Sequence, residues 1–151
     1  MTSKRTTEAR RWYRQAAYDL KAARWNIEGG FHDTACFLAQ QAGEKALKSM
    51  LYYLGARKQA LFTHSIVEMI GVAGKKAPGL REILEEGREL DLHYIPSRYP
   101  NGLPSGYPHQ FYGKETSEKA VKAATRIVEL VTGHYSAAGE EEILGGAEED
   151  Q

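Results

Sequence analysis

Arg98 is the residue of this chain whose type best suits the binding of a negatively charged group. It is the only arginine in residues 91–113, a segment that also holds His93 and His109. A guanidinium presents a planar fork of N–H donors that matches the oxygens of phosphate or carboxylate. A histidine nearby could act as a general acid or base. Arg98 with His109 or His93 is therefore the candidate catalytic set of this segment.

The segment that carries Arg98 must be a loop and not a helix. It contains four of the five prolines and four of the nine tyrosines of the chain. Proline fixes φ and lacks a backbone donor, so the segment cannot be a helix interior. Tyrosine combines a large apolar ring with a polar tip, which suits a loop packed on a scaffold or against a ligand.

Other kinds of catalytic or cofactor site are not indicated by the sequence. There is no Gly-rich phosphate loop, CxxC, HExxH or nucleophilic serine elbow. The five histidines are scattered, with no pair at helical metal-binding spacing. We therefore predict no metal and no cofactor. The single cysteine, Cys36, lies in an apolar helical context and is interpreted as a buried, inert thiol.

Length and composition predict one domain in the cytoplasm. A chain of 151 residues with 42% apolar residues is ordinary for a single folded unit. No apolar run approaches membrane-spanning length, and the N-terminus has no apolar signal segment.

The formal net charge of zero hides two oppositely charged regions. Residues 140–151 contain six acids and no base, which leaves 20 bases against 14 acids in the rest of the chain. We predict a helical domain over residues 1–136 and an acidic, disordered tail over residues 137–151. Seven bases lie between Lys4 and Arg24. This basic first helix either contacts RNA or nucleotide phosphates or is a solvated face, and the sequence favours the second interpretation.

Helical spacing of apolar residues predicts the elements that hold the loop. The first helix is expected over Thr7–Gly29, and the second over Phe31–Leu54. The second is apolar around most of its circumference, which is typical of a central helix. Its exception is a polar strip at helical spacing, which is either solvated or a polar lining that faces the loop. The sequence favours the solvated strip, because exposed i,i+4 pairs contribute little stability. The members of this strip are Gln41, Glu44, Lys45 and Lys48.

Three further helices complete the prediction. Ser65 and Glu68 have capping-box spacing and open a short helix that ends at Gly74. Pro78 opens another helix that ends near Leu92. The last helix is expected over Thr116–Tyr135, with Thr116 or Ser117 as its N-cap. We predict an all-α fold: an antiparallel four-helix up-and-down bundle with one extra short helix and a long Pro/Tyr-rich loop before the last helix.

The order of these elements and their motifs resembles the HEPN domain family, named for higher eukaryotes and prokaryotes nucleotide-binding. The resemblance covers roughly residues 8–135. It is carried by WYRQAAYDLKAA, QQAGEKALKSMLYYLG, THSIVEMI and LDLHYIPSRYPN, followed by a closing helix. It implies a helical bundle that commonly forms homodimers and a link to nucleotides or RNA. It also implies a partner, because many small prokaryotic members are encoded beside a minimal nucleotidyltransferase, often as a toxin–antitoxin pair.

The resemblance also implies site residues, with one departure. Ribonuclease members of the family carry an Arg-x(4–6)-His motif and cleave RNA without a metal. In this chain Leu103, Pro104 and Ser105 stand at the expected histidine positions, and His109 is the first histidine after Arg98. What carries over is a nucleotide-binding set, in which Arg98 contacts phosphate and Tyr99 stacks on a base. The full set is Arg98, Tyr99, Asn101, Glu44, Lys48 and His64.

Three functions follow as hypotheses. The first is a homodimeric module that binds a nucleotide or RNA and acts with a nucleotidyltransferase partner, in a toxin–antitoxin or substrate-binding role. The second is a metal-independent ribonuclease that uses Arg98 with the displaced His109. The third is a non-enzymatic dimeric interaction module. Two residues could instead have purely structural roles. Arg98 could form an ion pair with Asp91 or Glu44, and His64 could make a cap or turn hydrogen bond.

Overall fold

The all-α fold predicted from the sequence is confirmed. The computed structural model describes residues 3–145, and this part of the chain contains no strand. Short 3-10 helices occupy Lys58–Leu61, Pro78–Ile83 and Pro100–Gly102. The seven α-helices are α1 (Lys4–Glu28), α2 (His32–Tyr53), α3 (Ile66–Ala73), α4 (Leu84–Asp91), α5 (Pro108–Phe111), α6 (Lys114–Ala137) and α7 (Glu141–Leu144).

The helix α2 is the centre of the fold, as its apolar circumference predicted. It packs against α1, α3, α4, α5 and α6. At Gly43 the neighbouring helices approach so closely that an added Cβ would lie 2.7 Å from a methyl group of Leu90 and 3.0 Å from one of Ile66. Glycine at this position therefore lets α3 and α4 pack directly on the backbone of α2.

Hydrogen bonds between the long helices fix their directions. The Ser49 hydroxyl near the end of α2 donates to the carbonyl of Ala9 near the start of α1, so α1 and α2 are antiparallel. The same hydroxyl lies 2.7 Å from that of Tyr135 near the end of α6. At the other end of these helices His32 contacts Ser117, so α2 and α6 are parallel. These directions are those of an up-and-down bundle.

The segment between α3 and the Pro/Tyr-rich loop forms two helical pieces and not one. A single helix from Pro78 to Leu92 was predicted, but the structure divides it into a 3-10 helix that ends at Ile83 and the helix α4. Glu86 of α4 pairs with Arg126 of α6 at 2.6 Å, and Lys119 of α6 pairs with Glu89 of α4 at 3.3 Å. The helix α4 thus runs antiparallel to α6.

The Pro/Tyr-rich segment connects α4 to α6 as turns, one 3-10 turn and the short helix α5. The helix α6 begins earlier than predicted, with Gly113 at the N-cap position. The prediction of Thr116 or Ser117 as the cap was wrong. Ser117 is buried and donates to the carbonyl of Lys114, which engages its hydroxyl inside the first turn.

The end of the chain differs from the predicted tail. Residues 141–144 form α7, and the Ile143 side chain is fully buried against the bundle. The Tyr53 hydroxyl of α2 also donates to Glu140 at 3.0 Å. Ile143, Leu144 and the bond to Glu140 hold this acidic stretch against the bundle, and the charge pattern alone did not reveal these contacts. The rest of the predicted tail, residues 146–151, lies outside the described residues.

Two tryptophans on α1 have different surroundings. Trp12 stacks on Tyr52 of α2 at 5.9 Å between ring centroids. Trp25 near the end of the helix is 73% exposed. Across residues 3–145, no helix has the length and apolar character needed to cross a membrane.

Candidate functional site

Two members of the polar strip of α2 are buried, so the solvated strip favoured by the sequence was wrong for Glu44 and Lys48. Glu44 is 3% exposed and Lys48 is 6% exposed. The Lys48 ammonium lies 3.2 Å from Oε2 of Glu44, one helical turn away. Gln40, which is fully buried, donates to Oε1 of Glu44 at 3.3 Å. A charged pair removed from water requires such partners, because desolvation of either ion alone is costly.

Lys48 has a second partner on α1. Its ammonium lies 5.3 Å from the centroid of the Trp12 indole, within cation–π range. Another member of the strip, Lys45, pairs with Asp19 of α1 at 2.5 Å. The strip therefore forms part of the α1–α2 contact as well as the site.

His64 connects the buried pair to the loop. Its Nδ1 lies 3.1 Å from Oε1 of Glu44, and its ring stacks on Tyr94 at 4.8 Å with an interplanar angle of 17°. Its side chain is 53% exposed. The cap or turn role considered for His64 is filled by its neighbours: Ser65 accepts from the backbone N–H of Glu68, and Thr63 accepts from that of Ser65.

Arg98 is held in place by aromatic rings. Its guanidinium carbon lies 4.3 Å from the ring centroid of Phe37, 4.8 Å from that of Tyr94 and 4.9 Å from that of Tyr99. Its Nε donates to the backbone carbonyl of Tyr94 at 2.9 Å. These contacts fix the plane of the guanidinium without using the terminal nitrogens.

The ion pair considered for Arg98 does not form. Asp91 instead accepts hydrogen bonds from the backbone N–H groups of Ile66 and Val67 and from the Ser65 hydroxyl. Glu44 is occupied by Lys48 and His64. Within residues 3–145, no carboxylate lies within ion-pair distance of Arg98, and no protein group accepts from its terminal nitrogens. The terminal N–H groups of Arg98 are therefore available to a ligand.

His109 and Arg98 both contact side chains near the start of α2. Its Nδ1 is 3.2 Å from Oδ1 of Asp33 on α2, and its side chain is 60% exposed. Asp33 and Phe37 are four residues apart on α2 and so occupy the same helix face. Because Arg98 covers Phe37, the histidine and the arginine contact adjacent turns of one helix.

His93, the other histidine considered, is structural. It is 6% exposed, and burial lowers its pKa from the usual value near 6.5. Its Nδ1 lies 3.2 Å from the Tyr112 hydroxyl, and its Nε2 is 3.5 Å from Glu89. A histidine enclosed in this way cannot reach a ligand on the surface.

The remaining predicted residues are Tyr99, which contacts Arg98, and Asn101, which is exposed. The Tyr99 ring is 49% exposed and covers one side of the Arg98 guanidinium. Asn101 is exposed in the 3-10 turn Pro100–Gly102. The sequence missed Phe37, Tyr94 and Asp33. The signal for Tyr94 was its position four residues before Arg98, in a segment that forms helical turns. No local signal pointed to Phe37 or Asp33, because both belong to another helix.

The arrangement suits the binding of an anion attached to a planar group. Within residues 3–145, Arg98 has no carboxylate partner, and only its Nε donates to a protein group. Tyr99 and His64 offer ring faces beside it. The buried Glu44–Lys48 pair adds no net charge but fixes His64 and therefore Tyr94.

Three solved structures are similar to this chain. The protein TT1696 from Thermus thermophilus is 32% identical, with a TM-score of 0.77, over 83% of this chain and 97% of that one. ST0689, an archaeal HEPN homologue, is 33% identical, with a TM-score of 0.67, over 84% and 97%. The HEPN domain protein TM0613 from Thermotoga maritima is 28% identical, with a TM-score of 0.65, over 83% and 98%.

The family comparison covers the same region of the chain. No functionally curated protein gives a significant sequence match. The sequence model of the HEPN domain family matches residues 9–135, which run from the first turns of α1 nearly to the end of α6. This span includes every residue of the site described above. The chain belongs to the HEPN domain family.

Proposed function

We propose that this protein binds a nucleotide or RNA through Arg98 and the surfaces beside it. The observation that carries the proposal is the Arg98 guanidinium, which rests on three aromatic rings while its terminal N–H groups have no partner in residues 3–145. A guanidinium that is already oriented loses little conformational freedom when it binds a phosphate in a bidentate manner.

The neighbouring residues supply the rest of the ligand contacts. Tyr99 stacks on a base, as exposed aromatic rings do in proteins that bind single strands. Asn101 offers an amide to a base edge. His64 offers a half-exposed ring beside Tyr94, and its contact with Glu44 holds it there.

The family context extends the proposal to partners. The protein forms a homodimer and acts with a minimal nucleotidyltransferase, in a toxin–antitoxin or substrate-binding role. Leu92 and Ile95, which are 67% and 40% exposed beside the site, favour an additional protein surface near it. The same residues would serve a dimeric interaction module without a nucleotide ligand, and that alternative predicts no nucleotide affinity.

Calorimetry with mononucleotides tests the proposal directly. We expect Arg98→Ala to weaken binding about 10- to 100-fold, because a charge-assisted hydrogen bond is lost. Arg88→Ala is the matched control: Arg88 pairs with Glu85 on the surface of α4, outside the site. Absence of binding to any nucleotide or RNA by the unaltered protein would reject the proposal and leave the interaction module.

A second candidate function, metal-independent RNA cleavage, is favoured by the contact between Asp33 and His109. A carboxylate on Nδ1 orients the imidazole and leaves Nε2 facing solvent as the reactive nitrogen. His109 would take the proton of the 2′-hydroxyl as its oxygen attacks phosphorus. The bond to the 5′-oxygen then breaks, that oxygen takes up a proton, and Arg98 stabilises the charge on the phosphorane.

An RNA cleavage assay in EDTA separates the two functions. Cleavage that yields a 2′,3′-cyclic phosphate and is lost in both Arg98→Ala and His109→Ala would establish the enzyme. Asp33→Asn should then reduce the rate constant while RNA affinity stays close to that of the unaltered protein. Binding without cleavage would retain the first proposal alone.

A further inference from the structure

The helix α1 carries a second aromatic and basic surface, outside the Arg98 site. Trp25 is 73% exposed and Tyr18 is 48% exposed, although such large side chains are normally covered. Lys21 lies between them on the exposed side of the helix. We define the α1 stripe as Tyr18, Lys21, Arg24 and Trp25.

The α1 stripe has a regular geometry. Tyr18, Lys21 and Trp25 occur at i, i+3 and i+7, which places them on one helix face. The two aromatic residues are separated by about 10 Å along the helix axis. A shallow, largely apolar groove of about 440 Å³ runs along this face, with Glu28 at its far end. The groove offers two ring faces with a cation between them.

The charges of the stripe are available to a ligand. Of the acids on α1, Glu8 pairs with Arg11 at 2.7 Å and Asp19 pairs with Lys45. Glu28 lines the end of the groove one turn from Arg24, so the cations Lys21 and Arg24 outnumber it two to one. Within residues 3–145, Lys21 has no ion-pair or hydrogen-bond partner. Arg24 donates one N–H to Thr125 at 3.0 Å. This bond orients the guanidinium, and its other N–H groups remain for a ligand.

A second copy of the chain does not fit this surface well. A stable interface buries about 800 Å² on each partner, far more than two exposed rings and their neighbours supply. A two-fold symmetric contact would also bring Lys21 and Arg24 close to the same cations of the other copy. The surface therefore needs a partner that carries negative charge and flat apolar faces.

We infer that the α1 stripe is a stacking platform for single-stranded nucleic acid. Bases stack on Trp25 and Tyr18, and Lys21 and Arg24 contact the intervening phosphates. This inference rests on the proposed function, because it extends a nucleotide or RNA ligand onto a second surface. Its residues are separate from Arg98 and can be tested independently. The stripe increases affinity for a strand and leaves the binding of a mononucleotide at Arg98 unchanged.

Fluorescence anisotropy with labelled oligouridine of about 12 nucleotides tests the aromatic part of the platform. We expect Trp25→Ala to weaken binding roughly 5- to 100-fold, the effect of losing one stacked base. Phe62→Ala removes a ring that is 70% exposed elsewhere on the surface and should change affinity less than about twofold. Because Trp25 makes few contacts, the unfolding midpoint of its variant should equal that of the unaltered protein.

The salt dependence of binding tests the basic part. For a single strand, each phosphate contact contributes about 0.7 to the slope of log affinity against log salt. Lys21→Ala should reduce the slope by about that amount. Arg11→Ala removes a cation from the same helix that already pairs with Glu8, and should leave the slope unchanged. The same titration with oligodeoxythymidine shows whether the platform distinguishes RNA from DNA.

The possible failures are distinguishable. If the unaltered protein binds neither mononucleotide nor oligonucleotide, the proposed function fails and this inference fails with it. If mononucleotide binding depends on Arg98 but Trp25→Ala leaves oligonucleotide affinity unchanged, only the platform is rejected. If Trp25→Ala instead converts a dimer to a monomer in sedimentation without changing oligonucleotide affinity, the α1 stripe is an interface between copies and the inference is overturned.

Discussion

Nδ1 of His64 lies 3.1 Å from Oε1 of Glu44, and the other oxygen of that carboxylate lies 3.2 Å from the ammonium of Lys48. One buried carboxylate thus fixes both an exposed imidazole and a buried lysine. It links the centre of the bundle to the loop, because His64 stacks on Tyr94. The stability of the core and the geometry of the site therefore depend on the same residue.

The first prediction concerns this buried pair. Glu44→Gln should lower the free energy of unfolding by about 3 kcal/mol, because Lys48 remains buried without its counter-charge. The double variant Glu44→Gln with Lys48→Met should be more stable than the sum of the single effects predicts, with a coupling energy of about 1–3 kcal/mol. Urea denaturation of the four proteins gives these values. Additive effects would show that the pair does not interact.

The second prediction concerns Asp91, which caps α3 from the end of α4. Asp91→Ala should destabilise the protein by about 1–2 kcal/mol, because two N–H groups of the first turn of α3 lose their acceptor. Asp91→Asn keeps one acceptor oxygen and should cost less. Hydrogen exchange should show faster opening of Ile66 and Val67 in the alanine variant. Unchanged exchange at these two amides would contradict the capping role.

The third prediction separates charge from shape at Arg98. A lysine keeps the charge but has neither the planar fork nor the stacking surface that contacts Phe37 and Tyr99. Arg98→Lys should therefore lose nearly as much nucleotide affinity as Arg98→Ala, with a stability change below about 1 kcal/mol. Calorimetry and thermal unfolding measure the two quantities. Retention of affinity within about twofold would mean that a point charge is sufficient.

The fourth prediction concerns alkaline pH. Burial, helped by the charges of Glu89 and Asp33, raises the pKa of the Cys36 thiol from 9.0 to about 12. Burial also raises the pKa of Tyr112 to about 12. Below about pH 9 both groups are protonated in the folded and unfolded chains, so the stability is fully present. As the pH rises towards 12, the unfolded chain loses these protons first and stability falls.

Urea denaturation between pH 8 and 11 measures this decline. The Cys36 contribution should reach about 1.4 kcal/mol per pH unit within its window. Cys36→Ala should make the decline shallower, even though the variant is less stable at pH 8. A decline of equal steepness in both proteins would show that the thiol is not protected from ionisation.

The fifth prediction concerns acidic pH and His93. Burial lowers its pKa, while Glu89 acts in the opposite direction and Lys119 in the same one. Above about pH 6.5 the histidine is neutral in both states, and the stability is fully present. Below that pH the unfolded chain binds a proton first, so the free energy of unfolding decreases. His93→Gln should flatten this acidic decline in denaturation curves from pH 7 to 5, and an unchanged slope would contradict it.

The helices and their order could be predicted from the sequence because the information is local. Apolar spacing predicted Thr7–Gly29 and Phe31–Leu54, and the structure has α1 over Lys4–Glu28 and α2 over His32–Tyr53. Ser65 was predicted to cap α3, and it does. The break at Ile83 was missed, since no proline marks it. Helix ends depend on nearby glycines and prolines, and helix faces depend on apolar spacing over a few turns. Both can therefore be predicted from the neighbouring sequence.

The contacts of the site depended on the tertiary structure. The sequence placed Glu44 and Lys48 in a strip but favoured solvent around them, whereas both are buried and contact Trp12, Gln40 and His64. It offered Asp91 as a partner for Arg98, but that carboxylate lies against the N-terminus of α3.

What the sequence determined by itself is the all-α fold and its family, and it selected Arg98 as the candidate site residue. The tertiary structure decided that aromatic rings hold Arg98, that His109 contacts Asp33, and that Trp25 faces solvent. These outcomes depend on which helix faces meet across large sequence separations. Burial and electrostatic pairing arise only from that packing, so the neighbours of a residue along the chain do not contain this information.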